Sequence, residues 1–182
     1  MKQNTLFQKI IMFVFCFFIT SLTTLKSQET SIFDIARKGT LAQLKSAIKK
    51  DANIINKVSK EGYAPLTLAC YSGNNEVAKY LIDHVDDVNS KSSYGTPLMA
   101  ATVKKNIELV KLLLQKKANP NAVDQNGSSA LHFSVIFSFE EIIKLLISSK
   151  ADPSIKDNRG NSALDYAGIT NNKKITELLK QQ

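Results

Sequence analysis

Residues 96–122 read TPLMAATVKKNIELVKLLLQKKANPNA, and the way this stretch is built decides the fold. Thr96 offers a hydroxyl at a helix N-cap, and Pro97 takes the first helical position, where its missing N–H costs nothing. The short helix so opened ends about seven residues on, at Lys105, a less comfortable terminator than glycine or asparagine. A second helix begins near Glu108, whose carboxylate suits a helix N-terminus. Within it Leu109, Leu112 and Leu113 fall at spacings of three and four, which marks one buried face. Ala118-Asn119-Pro120-Asn121 closes the unit.

The same unit recurs in both directions along the chain. Gly62, Gly95, Gly127 and Gly160 stand 33, 32 and 33 residues apart, and Leu66, Leu98, Leu131 and Leu164 stand 32, 33 and 33 apart. Glu76, Glu108 and Glu141 keep that step, as do Asn56, Asn89 and Asn121. Four independent markers with one period identify an internal repeat. Gly62, Gly127 and Gly160 are expected at turns with positive φ, and Asp124 and Asp157 can support the latter two with Asx bonds. Ala64-Pro65, Ser129-Ala130 and Ser162-Ala163 occupy the helix-start position, and Gly73, Ser138 and Asn171 the terminator position. The second helices are expected to bury Val77, Leu81 and Ile82; Ile142, Leu145 and Leu146; and Ile175, Leu178 and Leu179. Between Gly95 and Leu98 the third unit is one residue short, so its hairpin tip should be distorted.

A turn-helix-helix unit of about 33 residues resembles the ankyrin repeat. The resemblance is carried by Thr96-Pro97-Leu98 with Ala101, by Ser129-Ala130-Leu131-His132, and by the Glu108–Leu114 helix. The tails Ala118-Asn119-Pro120-Asn121 and Ala151-Asp152-Pro153-Ser154 carry it too. It covers residues 31–182 and implies an all-α repeat solenoid of about five units, roughly 31–58, 59–91, 92–123, 124–156 and 157–182. The first unit lacks the turn glycine and the Thr-Pro start. The last carries Lys173, Lys174, Thr176 and Lys180, as a terminal unit with a solvated outer face requires.

Residues 1–27 have a different character. Lys2 and Lys9 precede the apolar run Ile10–Ile19, and Thr20, Ser21, Thr23 and Thr24 follow, the order of a cleaved secretory signal. Cleavage after Ser27 would leave 28–182 as the repeat domain, periplasmic or secreted, with no membrane insertion; the alternative is a leader retained as an anchor. The apolar run falls short of the roughly 20 residues of a spanning helix, and Cys16 lies mid-run, where lipidation is not expected. The chain of 182 residues carries a formal net charge of +8; residues 1–27 hold three lysines and no acid, which leaves +5 for the rest. Two cysteines and two histidines exclude a disulfide-dense scaffold and a histidine-rich metal site.

The remaining chemistry-bearing residues have structural roles. In the ankyrin resemblance, His132 bonds backbone between repeats and Cys70 packs between helices. His84, beside Asp83, Asp86 and Asp87, is a helix-end histidine with no metal-ligand spacing around it. No nucleophile elbow or phosphate loop is present, so no catalytic, metal or cofactor site is expected and the chain is not read as an enzyme. Its lysines are spread over every unit rather than gathered in a stripe, which argues against nucleic acid.

What exceeds the scaffold's needs is a row on the face that the resemblance makes concave. It comprises Leu68 and Tyr71, Val103 and Lys104, Phe133, Ile136 and Phe137, then Tyr166 and Ile169. An apolar row with aromatic anchors marks a partner site. The expected function is a monomeric, exported, protein-binding module. Some exported bacterial ankyrin proteins, which this chain resembles, accompany periplasmic catalase, so a stress-protection accessory is the alternative. An enzyme is the distant rival.

Overall fold

The computed structural model describes residues 30–92 and 95–180; the signal-peptide reading of 1–27 falls outside them. Ten α-helices follow one another, with no extended strand among the described residues. The first unit holds α1 (Ile32–Lys38), α2 (Leu41–Lys50) and a 3-10 turn, Ala52–Asn56. The second holds α3 (Pro65–Ser72) and α4 (Asn75–His84), and the third α5 (Pro97–Val103) and α6 (Ile107–Gln115). The fourth holds α7 (Ala130–Ile136) and α8 (Glu140–Ser148), and the fifth α9 (Ala163–Ile169) and α10 (Lys173–Lys180). Helices α1, α3, α5, α7 and α9 pack successively in one layer, and α2, α4, α6, α8 and α10 in a second.

Local chemistry sets each boundary. Ser31, Thr40, Thr96 and Ser162 accept backbone N–H groups at N-caps, and Pro65 and Pro97 sit in first turns. The first helices of the four later units end at residues of positive φ: Gly73 at 72°, Lys105 at 54°, Ser138 at 55° and Asn171 at 50°. Lysine and serine adopt the conformation where the sequence made it least comfortable, because the repeat geometry overrides local preference. At Gly127 the need for glycine is twofold. Its φ is 74°, and an added Cβ would meet Asn158 Oδ1 at 2.9 Å and the Asp157 Cα at 3.0 Å.

Leu81, Leu109, Leu113, Ile142, Leu146 and Ile175 are fully buried between the layers. Leu112, Leu145 and Leu178, expected with them, are only half-buried, while Val110 and Ile143 are buried completely. A central second helix touches a neighbour on each side as well as its own first helix, so its apolar stripe is wider than a three-four spacing suggests.

The repeating asparagines all do the same thing. Asn56 Oδ1 accepts the Asp86 N–H at 3.0 Å, Asn89 Oδ1 that of Asn119 at 2.7 Å, and Asn121 Oδ1 that of Asp152 at 2.7 Å. Each bond joins one unit to the next. Asn74 likewise spans the first interface, donating from Nδ2 to the carbonyls of Ala36 and Gly39 at 3.2 and 2.8 Å. The shortened third turn is tighter than its siblings. There Gly95 both donates to and accepts from Ser92, roles that Gly127 and Ser128 divide between them around Asp124 in the fourth unit.

Candidate functional site

The expected Asx bonds form in both later turns. Asp124 Oδ1 accepts the N–H of Asn126 at 2.8 Å and of Ser128 at 2.9 Å; Asp157 Oδ1 accepts those of Arg159 at 2.9 Å and Asn161 at 3.0 Å. These turns stand beside the first-helix layer. The Tyr166 hydroxyl donates to Asp157 Oδ2 at 2.6 Å. That bond, with the N–H groups of Asn161 and Arg159, holds the Asp157 carboxyl below the usual carboxylate range against the opposing effect of burial.

His132 has the inter-repeat role that the resemblance implies. Its Nδ1 accepts the Ser129 N–H at 3.1 Å, so the ring proton belongs on Nε2, which donates to the Asn161 carbonyl of the next unit at 3.2 Å. Thr67 takes the same place in the second unit but is too short for such a bridge, and its buried hydroxyl has no partner among the described residues. Cys70 is fully buried, and burial pushes its thiol up to about 12, the opposite of what a nucleophile needs. His84 stacks on Tyr80 at 3.9 Å and its Nδ1 lies 2.7 Å from the Tyr80 carbonyl, while Asp83 pairs with Lys116. No group of three or more metal-ligating side chains occurs among the described residues.

The structure gives the row of proposed partner residues a more differentiated form than the sequence did. Tyr71 is 55% exposed, Ile136 43%, Phe137 49% and Ile169 69%. Lys104 is exposed, with Nζ 4.7 Å above the Tyr71 ring, and Phe137 stacks on Phe139 at 5.5 Å. Val103, Phe133 and Tyr166 are half-buried. Leu68 is buried, because its neighbours in the layer close over it, and Tyr166 has its hydroxyl committed to Asp157.

Part of this row lines a cleft of about 560 Å³. Leu68, Tyr71, Met99, Ala100, Val103 and Phe133 form its helical wall; Tyr63, Asp124 and Asn126 contribute from the turns, and Arg37 from the first unit. Ile136, Phe137, Tyr166 and Ile169 lie outside it. The cleft opens where Ala100 follows Leu68 and precedes Phe133 and Tyr166 at equivalent places, so one small side chain leaves the gap. Comparing the units column by column would have exposed that gap. It would also have shown Asp124 and Asn126 to be part of the site, which the search for apolar residues passed over.

Stacked turn-helix-helix units, joined by side-chain bonds between successive turns, define the chain as an all-α repeat solenoid. It belongs to the ankyrin-repeat family: the model described as ankyrin repeats (3 copies) matches residues 32–124 and 98–182. The chain is similar to the Ankyrin repeat and SAM domain-containing protein 6 of Rattus norvegicus, 29% identical over 129 residues, or 66% of this chain and 15% of that one. It is also similar to the BCL-6 corepressor-like protein 1 of Homo sapiens, 31% identical over 104 residues, or 57% of this chain and 6% of the relative. A third is the Ankyrin repeat and KH domain-containing protein mask of Drosophila melanogaster, 46% identical over 66 residues, or 36% and 2% of the respective lengths. The chain therefore spans no more than 15% of the length of these relatives. Ankyrin repeats generally mediate protein–protein interaction. Among the described residues no helix is long and apolar enough to cross a membrane.

Proposed function

We infer that this chain is an exported, non-catalytic module that binds a partner protein along the inner face of its first-helix layer. One observation carries the reading. Of the five large apolar side chains most exposed among the described residues, Tyr71, Ile136, Phe137 and Ile169 occupy repeat-equivalent places on that face; only Val58 lies elsewhere. A core gains nothing from a side chain left half in water, whereas a binding surface gains a desolvated anchor. The stacked units hold the row in place before the partner arrives, so little ordering entropy opposes binding. Export is supported by the basic, apolar, polar order of residues 1–27.

The experiment is affinity capture from the exported fraction of the native host, with the wild type and the double variant Tyr71→Glu, Phe137→Glu. Capture should be lost, since desolvated aromatic anchors typically carry about 2 kcal/mol or more each. The melt should fall by only a few degrees, because both side chains are about half exposed. Mass analysis of the same fraction should show the chain starting near Gln28. Unchanged capture would refute the binding face, and an intact Met1 would refute cleavage of the leader.

A further inference from the structure

The aspartates of the fourth and fifth turns make the same backbone bonds through Oδ1 and differ at Oδ2. In the fifth, both Asp157 oxygens are used, Oδ1 by two backbone N–H groups and Oδ2 by the Tyr166 hydroxyl. In the fourth, the two turn bonds again fall on Oδ1 of Asp124, but the residue at the Tyr166 position is Phe133, which has no hydroxyl. No described residue donates to Asp124 Oδ2. Asp124 as a residue is 8% exposed, and it lines the cleft that Ala100 leaves open. Its Oδ2 is not sealed off but stands open to the cleft as a free acceptor that a ligand hydroxyl can reach, and the apolar walls around it strengthen such a bond relative to water.

Resting on the groove reading above, we propose that the cleft receives a tyrosine side chain of the partner protein, with its hydroxyl donating to Asp124 Oδ2. The walls select the ring: Tyr71, Met99, Val103 and Phe133 offer apolar and aromatic surface. The charges select a neutral donor, since Arg37 lines the same cleft and the Lys104 ammonium stands over Tyr71, which disfavours a lysine or arginine anchor. The fifth unit shows the pairing at home in this fold. There a phenol bonds the same carboxylate of an equivalent turn, its ring edge-on to His132 at 6.1 Å.

The test uses N-acetyl-tyrosinamide and N-acetyl-phenylalaninamide as probes, titrated into the full chain and followed through backbone amide NMR signals. The tyrosine probe should shift the signals of Val103, Asp124 and Phe133 and bind about tenfold tighter than its phenylalanine twin, the scale of one hydrogen bond to a charged group. Asp124→Asn keeps an acceptor at Oδ1 for the turn but places an NH₂ at Oδ2, and should erase the preference. Phe133→Tyr should erase it too, by giving Oδ2 a hydroxyl of its own, and should melt no lower than the wild type. Equal affinities for the two probes, shifts mapping elsewhere, no shifts, or a preference that survives both substitutions would overturn the proposal. Equal affinities together with capture lost in the Tyr71→Glu, Phe137→Glu variant would leave the groove reading standing without its tyrosine anchor. Capture that survives that double change overturns both.

Discussion

Thr102 is fully buried on α5, and its hydroxyl has no hydrogen-bond partner among the described residues. The equivalent residue is Cys70 in the second unit and Val135 in the fourth, both completely buried. An orphaned hydroxyl costs its desolvation without return, while an apolar group of the same shape does not. Thr102→Val should therefore stabilise the protein by about 1 kcal/mol, read as a higher urea midpoint at unchanged slope. A lower midpoint would mean that the hydroxyl has a partner. At this scale the sequence was legible wherever a residue plays a part common to the family, as His132 does in bridging to Asn161 and Asp124 and Asp157 do in closing their turns. It was not legible at Thr67 and Thr102. Whether a buried hydroxyl finds an acceptor depends on a fraction of an ångström between neighbouring units, and spacing carries no such information.

At the scale of the element, the helices were readable because their caps and their apolar periodicity agree. What escaped was the width of the buried face, with Val110 and Ile143 fully inside and Leu112 and Leu145 only half so. That width depends on how many neighbours a helix has, and the same dependence governs the cost of cavities. Leu113 and Leu146 lie on α6 and α8, each packed between two second helices, whereas Leu179 lies on α10 with α8 on one side only. Leu113→Ala and Leu146→Ala should each cost about 2–5 kcal/mol, and Leu179→Ala distinctly less, although all three side chains are buried. Urea melts of the three variants decide it. Equal losses would mean that the units are not stacked as nearest neighbours.

For the molecule as a whole, two kinds of bond run from unit to unit, and their weights differ. On the second-helix layer, Lys79–Glu108 at 2.6 Å, Lys116–Asp83 at 2.8 Å, Lys111–Glu141 at 3.2 Å and Lys174–Glu140 at 2.6 Å link successive helices. All eight side chains are more than a third exposed, so each pair is worth about 0–1 kcal/mol and is screened by salt. Beside them run the asparagine bonds, exposed but between uncharged groups, the part-buried histidine bond and a continuous apolar core, none of which depends on ion pairing. The period was legible in the sequence because these uncharged contacts fix residue types: asparagine at the turn-to-turn bond, leucine between the layers, glycine where the turns close. The cleft does not show in any single unit, because it is defined by what is missing, a side chain at Ala100 and a hydroxyl at Phe133, and becomes legible only when equivalent positions of successive units are compared. Raising sodium chloride from about 20 mM to about 1 M shortens the screening length several-fold. The ion pairs should then lose most of their small contribution, while the self-repulsion of a chain with an excess of lysine is relieved at the same time. The unfolding free energy from urea melts should move by no more than about 1–2 kcal/mol across that range. A fall of several kcal/mol would show that the stack is held by its surface charges rather than by its core.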